Sequence, residues 1–465
     1  MSTDNPFRHL PAVDEVLRDA RLAAIANSIS HPQLVQWVRA GVDACRAAMQ
    51  SSIDMDALAA TSFVVDEVFK MHRAELGRTQ QPVINATGVL LHTNLGRAPL
   101  AKIAIQRMTD ASGYANVEMN LFTGKRNKRG ERTCSLISQL TGSEDAAIVN
   151  NCAAATMLVL QAMAKGREVI ISRGQLVEIG GGYRLPEVFA ASGSIMKEVG
   201  TTNRTYLRDY EQAINENTAA IIQVHRSNFF LGGFVTEPNL DELVALGKQR
   251  GLPVIDDIGS GCISDLRDLG LQEPIVPDSV KSGADVTLFS GDKLFGGPQA
   301  GIIVGRSNWI ESLRKNPMMR ALRVDKVTLA AIEATAEIHL SGKAKVELPL
   351  LQMLYKTQNQ IRERCDYVKA RLTLPEEVVV DTISCVSEMG GGSIPGSEIP
   401  SAAIHVSGID AQMLAEQLRL GSPAVLGIIR DDSVLLDLRT VADVQTELFA
   451  ECLAAAIKRT IEASV

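Results

Sequence analysis

The sequence predicts an α/β protein whose central region is a mostly parallel sheet. Between residues 79 and 335, short apolar segments alternate with segments of helical periodicity. This alternation is typical of parallel strands joined by helices that cover both faces of a sheet. Segment 302–304 follows strand 286–289 too closely for a helical crossover, so we expect it to be antiparallel to that strand. Further strands are predicted at 146–149, 168–171, 219–224 and 254–256, with a helix at 239–250.

Two further domains flank this region. Residues 1–78 are predicted to be helical, with helices that begin near Leu10 and Pro32 and a third over 56–76. Residues 336–465 are predicted to form a small α/β domain, with Gly390 to Gly392 in a flexible loop. Its predicted elements are a long helix over 351–370, strands at 378–380, 402–406 and 434–438, and a helix over 411–418. The predicted domains are therefore 1–78, 79–335 and 336–465.

Composition indicates an ordinary globular protein. The 465 residues are 46% hydrophobic and 22% charged. No apolar run approaches the roughly 18 residues of a membrane helix, and the chain does not begin with a secretion signal. The seven cysteines are scattered without a Cys-x-x-Cys pair, and the seven histidines show no metal-ligand spacing. We therefore expect a cytoplasmic protein with no membrane partner, no metal and no disulfide framework.

The formal charge of −7 does not favour a nucleic-acid partner, because phosphate contacts require lysine and arginine. A local basic patch would suffice, and segment 125–132 carries five positive side chains against one negative. A solvated loop accounts for such a run equally well. Both interpretations stay open.

Lys293 is the first candidate catalytic residue. It lies in the glycine-rich segment 290–301, between the strands predicted at 286–289 and 302–304. A lysine on a turn between buried strands is poorly solvated and well placed to attack a cofactor aldehyde, although an exposed turn lysine is the commoner outcome. Ser290 adds a hydroxyl that could reach a cofactor phosphate.

An acidic pair, Asp256 and Asp257, ends the strand predicted at 254–256 and precedes a glycine turn. A carboxylate at the carboxyl end of a parallel strand faces the ligand crevice, where it can pair with a protonated pyridine nitrogen. The alternative is that both residues cap a loop. Asp257 is preferred because it is closer to the glycine turn, with Asp256 as the second choice.

A third feature is suited to binding a phosphate. The strand at 146–149 passes through Asn151, Cys152 and Ala153 into a helical run. The start of a helix presents backbone N–H groups and a positive dipole end to an anion. An alanine-rich helix start chosen for propensity alone is the alternative.

In this order, the helix start, the carboxylate and the lysine match the large domain of fold-type-I pyridoxal-phosphate enzymes. Segment 84–100 strongly resembles the one that opens the catalytic domain of bacterial selenocysteine synthases, the L-seryl-tRNA(Sec) selenium transferases. Segments 172–181, 198–205, 290–301 and 320–326 resemble the same family. The similarity runs from about residue 85 to residue 335, and weaker similarity covers both ends.

The resemblance implies a mostly parallel sheet of the seven-stranded type, with a small C-terminal domain and an N-terminal helical domain that binds tRNA. It implies that seryl-tRNA(Sec) loses water and gains selenium from selenophosphate, with pyridoxal 5'-phosphate as cofactor. Lys293 would hold the cofactor and move the α-proton, opposite Asp257. By analogy with the fold type, Asn228 would lie near the ring hydroxyl and Gln175 over the ring face. The assembly would be at least a dimer, and a ring of dimers in the family.

Arg97, Arg320 and Arg323 lie in the resembling segments and are the predicted ligands of selenophosphate, a compact anion. Arg320 and Arg323 are three residues apart, so on a helix they would share a face. An aminotransferase would need an arginine for a free α-carboxylate, and Arg439 is the candidate by position. Because an aminoacyl ester lacks that charge, we expect Arg439 to be structural.

Three departures from the family pattern concern substrate contacts. Segment 124–132 is longer and more basic, Arg226 replaces a small polar residue, and Phe295 replaces a leucine. None of them affects Lys293, so the cofactor prediction stands. Two other functions stay open. One is a pyridoxal-phosphate-dependent ammonia-lyase that acts on a phosphorylated amino sugar acid, and the other is a tRNA-binding relative without activity.

Overall fold

The computed structural model describes residues 7–51, 55–375 and 377–464, which fall into two compact units. The first contains residues up to Ile84 together with Glu416–Val425, and the second contains Asn85–Ala415 and the residues from Leu426. The predicted domain boundaries at 78 and 335 stay a prediction.

The first unit is helical because two long amphipathic helices share one apolar core. Asp56 starts the second of them, its carboxylate accepting a hydrogen bond from the Ala59 N–H at 2.8 Å. Val38 and Val42 pack in the same core cluster as Val64 and Val68. The helix expected near Leu10 is only a four-residue turn. The elements are α1 (Val13–Val16), α2 (Ala23–Ala26), α3 (His31–Gln50), α4 (Ala57–Leu76) and strand β1 (Val83–Asn85).

The second unit contains the predicted alternation of strands and helices. Its strands up to residue 305 are β2 (Asp145–Val149), β3 (Glu168–Ser172), β4 (Glu178–Ile179), β5 (Tyr183–Arg184), β6 (Ile195–Val199), β7 (Thr218–Val224), β8 (Val254–Gly259), β9 (Val286–Ser290) and β10 (Gly301–Gly305). Its helices up to residue 340 are α5 (Lys102–Ser112), α6 (Glu131–Thr141), α7 (Cys152–Ala164), α8 (Leu185–Ser192), α9 (Leu207–Ala213), α10 (Leu240–Arg250), α11 (Val276–Ser282), α12 (Ser307–Lys315), α13 (Pro317–Ala321) and α14 (Lys326–Leu340).

Seven of these strands form one sheet in the order β2-β10-β9-β8-β7-β3-β6. The β8 strand is parallel to both β7 and β9, whereas β10 is antiparallel to both β9 and β2. The antiparallel orientation predicted for segment 302–304 is confirmed. The edge strand β6 was not predicted, because Lys197 and Glu198 interrupt its apolar pattern.

The C-terminal part of this unit contains an antiparallel sheet in the order β11-β12-β15-β14. The single helix expected over 351–370 is wrong: the chain leaves the helix at Lys356, and Thr357 caps a new one. The Thr357 hydroxyl accepts a hydrogen bond from the Gln360 N–H at 3.3 Å. The elements from residue 344 onward are α15 (Ala344–Glu347), α16 (Pro349–Tyr355), α17 (Gln358–Lys369), β11 (Val379–Ser387), β12 (Ile399–Ser407), α18 (Ala411–Arg419), β13 (Ala424–Leu426), β14 (Ile428–Arg430), β15 (Ser433–Asp437) and α19 (Thr446–Ser464). The end of α18 and most of β13 fall within the Glu416–Val425 segment of the first unit.

Across the three described ranges, none of the helices is long and apolar enough to cross a membrane. In the same residues, no group of three His, Cys, Asp or Glu side chains is placed to hold a metal ion.

The cap of α4 provides a test of the first unit. Asp56→Ala should lower its free energy of unfolding by about 1 kcal/mol, because an N–H at the helix start loses its acceptor. Urea unfolding of the full chain, followed by Trp37 fluorescence in a Trp309→Phe background, measures the change. Asp43→Ala, which breaks an exposed ion pair with Arg46 within α3, should have the smaller effect. Equal losses would contradict the role of the cap.

Candidate active site

Lys293 lies on the turn between β9 and β10 and is buried, with 5% of its surface exposed. Its Nζ donates a hydrogen bond to the Gly392 carbonyl oxygen at 3.2 Å. Burial lowers the pKa of Lys293, and the positive charge of Arg97 acts in the same direction, against the opposing charges of Asp292 and Asp257. The amine is therefore easier to deprotonate than a surface lysine and is suited to act as a nucleophile or a base.

The glycines of the turn allow it to fold tightly. The Gly291 N–H bonds to the Ala300 carbonyl at 2.8 Å, which closes the loop that carries Lys293. A Cβ on Gly291 would lie 2.6 Å from the Pro298 carbonyl oxygen. The Leu294 N–H bonds to the Ser260 carbonyl at 2.9 Å, so the turn is also tied to the chain that follows β8.

The loop of Gly390, Gly391 and Gly392 packs against this lysine. All three residues have positive φ, between 60° and 71°. A Cβ on Gly391 would lie 2.6 Å from the Leu91 carbonyl oxygen, and one on Gly392 would lie 3.4 Å from the Lys293 Nζ. The sequence predicted a flexible loop here, and the structure places it as a close-packed wall of the lysine site.

Asp257 is buried and accepts hydrogen bonds from residues in the first two turns of α7. The Thr156 hydroxyl donates to Oδ2 at 3.0 Å, and the Cys152 thiol lies 3.8 Å from Oδ1. Burial raises the pKa of Asp257 to about 6, although the Thr156 bond and the charge of Lys293 act against it. A partner with a positive charge, such as a protonated ring nitrogen, would stabilise the ionised form.

Asp256 has a different environment, because successive side chains of a strand point to opposite faces. It is buried near Ser279 and His225, and burial raises its pKa to about 6. Lys293 is among the charges that act on Asp257 but not among those that act on Asp256. The geometry thus favours the sequence-based preference for Asp257.

The start of α7 forms the third part of the site. Asn151 is its N-cap, and its side chain accepts a hydrogen bond from the Ala154 N–H at 2.8 Å. Cys152 and Ala153 come next, in the first turn, where backbone N–H groups point away from the helix. Ser290 is buried beside the Cys152 thiol. This combination of helix start and hydroxyl can bind a phosphate.

These three parts fit pyridoxal 5'-phosphate. Lys293 offers an amine for its aldehyde, Asp257 a carboxylate for its ring nitrogen, and the start of α7 an anion site for its phosphate. Gly392 leaves room beside the amine because it has no side chain.

Gln175 and Asn228 have protein partners in this structure. Gln175 is 1% exposed; its Oε1 accepts the Val224 N–H at 2.9 Å and its Nε2 donates to Glu237. The Asn228 Nδ2 donates to the Glu178 carbonyl at 2.7 Å. Their contacts with the cofactor ring stay a prediction.

The three predicted anion ligands lie in two places. Arg97 forms an ion pair with Asp292 at 2.6 Å, directly beside Lys293. Arg320 is in the last turn of α13, but Arg323 lies beyond the end of that helix. The expectation that the pair shares a helical face is therefore wrong. The backbone of Arg323 instead forms an isolated antiparallel β-bridge with Val149, the last residue of β2. Because α7 begins shortly after Val149, this bridge places Arg323 near the start of α7.

Arg439 is buried, and its guanidinium donates to backbone carbonyls. Its Nη1 lies 2.7 Å from the Met353 oxygen and 2.8 Å from the Lys356 oxygen, and its Nη2 lies 2.7 Å from the Pro400 oxygen. These bonds account for Arg439 as a structural residue, as expected.

Sequence reasoning missed Thr156 and Tyr183. Thr156 follows Cys152 by one helical turn, and this spacing would have placed both on the face towards Asp257. Tyr183 is carried by the β4–β5 hairpin. Burial and the charges of Asp257 and Cys152 raise its pKa, so its hydroxyl stays protonated next to the carboxylate.

Comparison with known proteins agrees with this geometry. A family model described as L-seryl-tRNA selenium transferase matches residues 83–442, and one described as selenocysteine synthase N terminal matches residues 7–46. The L-seryl-tRNA(Sec) selenium transferase of Geobacter sulfurreducens is 42% identical over 444 residues, covering 94% of this chain and 96% of the relative. Its counterpart from Alkaliphilus metalliredigens is 42% identical over 465 residues, covering 97% and 99%.

Among solved structures, D-glucosaminate-6-phosphate ammonia-lyase is similar, with a TM-score of 0.59 and 23% identity. The similarity covers 84% of this chain and 99% of that one. It shows the fold, and together with the sheet order it confirms the predicted fold-type-I architecture.

The raised pKa of Asp256 gives a pH-dependent prediction. A buried carboxyl with a pKa of about 6 holds its proton in the folded chain at pH values where the unfolded chain has lost it, so its ionisation destabilises the fold as pH rises from about 4 to about 6. Asp256→Asn removes this effect. Its stabilising contribution should be greater at pH 7.5 than at pH 4.5, by about 1–2 kcal/mol.

Urea unfolding of the apoenzyme at the two pH values checks this. The matched control is Asp432→Asn on an exposed turn, which should show no such difference. A contribution of Asp256→Asn that does not change with pH would refute the assignment.

Proposed function

The chain belongs to the L-seryl-tRNA selenium transferase family, and we propose that it converts L-seryl-tRNA(Sec) into L-selenocysteinyl-tRNA(Sec). The observation that carries the proposal is the buried Lys293 amine, which lies in one site with the Asp257 carboxylate and the start of α7. These are the groups that a pyridoxal-phosphate enzyme requires.

The cofactor of this family is pyridoxal 5'-phosphate, which, when bound, acts as an electron sink for the α-carbon of an attached amino acid. Lys293 would bind it covalently and, once displaced by the seryl amine, would take the α-proton at its Nζ. Asp257 would keep a proton on the ring nitrogen. The first N–H groups of α7, with the Ser290 hydroxyl, would hold the phosphate. Lys293 could then return its proton to the hydroxyl group that leaves the β-carbon.

Selenium would arrive as selenophosphate, bound by Arg97, Arg320 and Arg323. Two features support this assignment. Arg97 lies beside Lys293, and Arg323 lies at the end of β2, next to the start of α7. Each of these two arginines therefore lies next to a group that would hold the cofactor. Guanidinium groups are also the preferred partners of phosphate-like anions.

We assign tRNA binding to the N-terminal domain, residues 1–78. The match of residues 7–46 to a selenocysteine synthase N-terminal model supports this assignment. We also propose a cytoplasmic location and an assembly of at least two subunits, arranged as a ring of dimers. The seven cysteines, all free thiols in this structure, fit a reducing compartment.

Single-turnover reactions test the function. The holoenzyme should dehydrate seryl-tRNA(Sec), with and without selenophosphate, and should form the selenocysteinyl product only when selenophosphate is present. Seryl-tRNA(Ser) and free serine should react far more slowly. Preferential reaction of free serine or of a phosphorylated amino sugar acid would reject the proposal in favour of the eliminase alternative. Absence of any turnover, with tRNA bound, would favour the inactive relative.

Lys293→Ala should abolish the visible absorbance of the reconstituted enzyme and its loss on borohydride treatment, because the amine that binds the aldehyde is gone. Its affinity for tRNA should stay within about twofold, since residue 293 is not part of the proposed tRNA-binding domain, residues 1–78. Lys315→Ala, an exposed lysine of α12, is the control and should keep both properties. A borohydride-reducible adduct in the Lys293 variant would refute its role.

Arg320→Ala should slow selenium transfer while dehydration of the seryl group proceeds, because the donor anion loses a cation. Quench-flow measurement of both steps separates them. Equal slowing of the two steps would remove Arg320 from the donor site.

A further inference from the structure

Glu118 lies on a chain segment that folds back on itself beside the proposed donor site. Met119 and Arg126 form an antiparallel bridge, and the Asn127 N–H bonds to the Glu118 carbonyl at 3.1 Å. The segment includes part of the basic run at 125–132, whose role the sequence left open. It also places the Glu118 carboxylate among arginines from two distant parts of the chain.

The two oxygens of Glu118 have different partners. Oε2 accepts a hydrogen bond from the Arg126 Nη2 at 2.7 Å. Oε1 lies 3.7 Å from the Arg323 Nη1 and 4.0 Å from the Arg129 Nη1, which is ion-pair range but longer than a hydrogen bond. The hydrogen bond from Arg126 and the charges of Arg323 and Arg129 lower the pKa of Glu118, so the group is ionised at neutral pH.

Arg129 brings a half-buried positive charge to the same place. Its side chain is 22% exposed, and its Nη2 donates to the Val324 carbonyl at 2.8 Å. Its Nε has no hydrogen-bond acceptor among the described residues. Burial lowers the pKa of Arg129, and the charges of Arg323 and Arg320 add to this effect. Three like charges gathered here need a counter-ion.

A second nearby carboxylate, that of Asp325, already accepts hydrogen bonds from the start of α14. Asp325 caps α14, and its oxygens accept bonds from the Val327 N–H at 2.7 Å and the Thr328 hydroxyl at 2.7 Å. Glu118, in contrast, has an Oε1 that lies near the arginines and receives no hydrogen bond from any of the described residues. The cluster is also next to the start of α7, because the Asn150 N–H bonds to the Leu322 carbonyl at 3.1 Å.

We propose that Glu118 is an internal counter-ion of the donor site, which neutralises Arg323 and Arg129 until an oxyanion displaces it, and that Arg129 is a further cation of that site. This inference rests on the proposed function, since it assigns the anion at Arg320 and Arg323 to the selenium donor. A tetrahedral dianion offers more charge and more acceptor atoms than one carboxylate. It therefore replaces Glu118 as the partner of the Arg323 and Arg129 guanidinium groups, which do not hydrogen-bond to Glu118. Glu118 keeps its bond to Arg126 meanwhile.

The arrangement also determines which anions bind. A monoanion such as chloride gains little by replacing a carboxylate of equal charge, whereas a dianion gains an additional interaction. Glu118 therefore acts as a specificity residue. The phosphate of the cofactor has the same chemistry as the donor, so the test must separate the two.

The experiment uses the holoenzyme and inorganic phosphate as the probe. Glu118→Gln should bind phosphate about five- to tenfold more tightly, because one competing negative charge is removed, and should lower the KM for selenophosphate. Arg129→Ala should weaken phosphate binding about tenfold. Arg126→Ala should weaken it a few-fold, because Glu118 is then free to pair more closely with Arg323. Isothermal calorimetry measures each affinity, and the absorbance of the bound cofactor reports its retention.

Glu333→Gln is the matched control, because Glu333 pairs with Arg132 on an adjacent surface and should leave phosphate binding unchanged. If Glu118→Gln binds phosphate as the wild type does while Arg323→Ala weakens it, the counter-ion role is wrong and the donor site stands. If neither Arg320→Ala nor Arg323→Ala alters phosphate affinity, the donor site itself is wrong. Loss of the cofactor from the Glu118 or Arg129 variant would assign the cluster to the cofactor phosphate and overturn the inference.

Discussion

Desolvation of one amine is the constraint on which the active site depends. A lysine side chain favours water, yet Lys293 is held between two strands with a backbone carbonyl as its hydrogen-bond partner. The glycine turn that carries it and the glycine loop that faces it bring backbone, rather than side chains, up to the amine. Burial also lowers the pKa of Lys293 and raises that of Asp257, so both groups become more reactive than they are in water.

Short-range patterns predicted much of the fold. Each of the predicted sheet strands exists in the structure. An apolar run bounded by glycine or charged residues can be recognised as a strand from only a few neighbouring residues. The edge strand β6 lacks such a run, because an edge strand is partly exposed and tolerates Lys197 and Glu198. The break at Lys356 was missed because apolar residues of α16 and α17 continue a helical periodicity across it, although the Thr357–Gln360 capping box marks the start of α17.

Sequence patterns identify a candidate site residue where chemistry alone singles it out, and they miss a residue whose place in the site depends on tertiary contact. Lys293 and Asp257 could be predicted as candidates because few residue types can perform the roles proposed for them. Thr156 gains its role from Asp257, 101 residues later, and Glu118 from Arg323, which no local pattern reveals. The relation assumed between Arg320 and Arg323 failed because α13 is only five residues long.

The carbonyl that faces Lys293 belongs to Gly392, 99 residues further along the chain. During synthesis on the ribosome, the lysine therefore emerges well before the segment that shields it from water. A nascent chain that has not reached Gly392 lacks both the carbonyl that accepts the Lys293 hydrogen bond and the glycine loop that packs beside the amine. The complete environment of the amine therefore forms only late in translation.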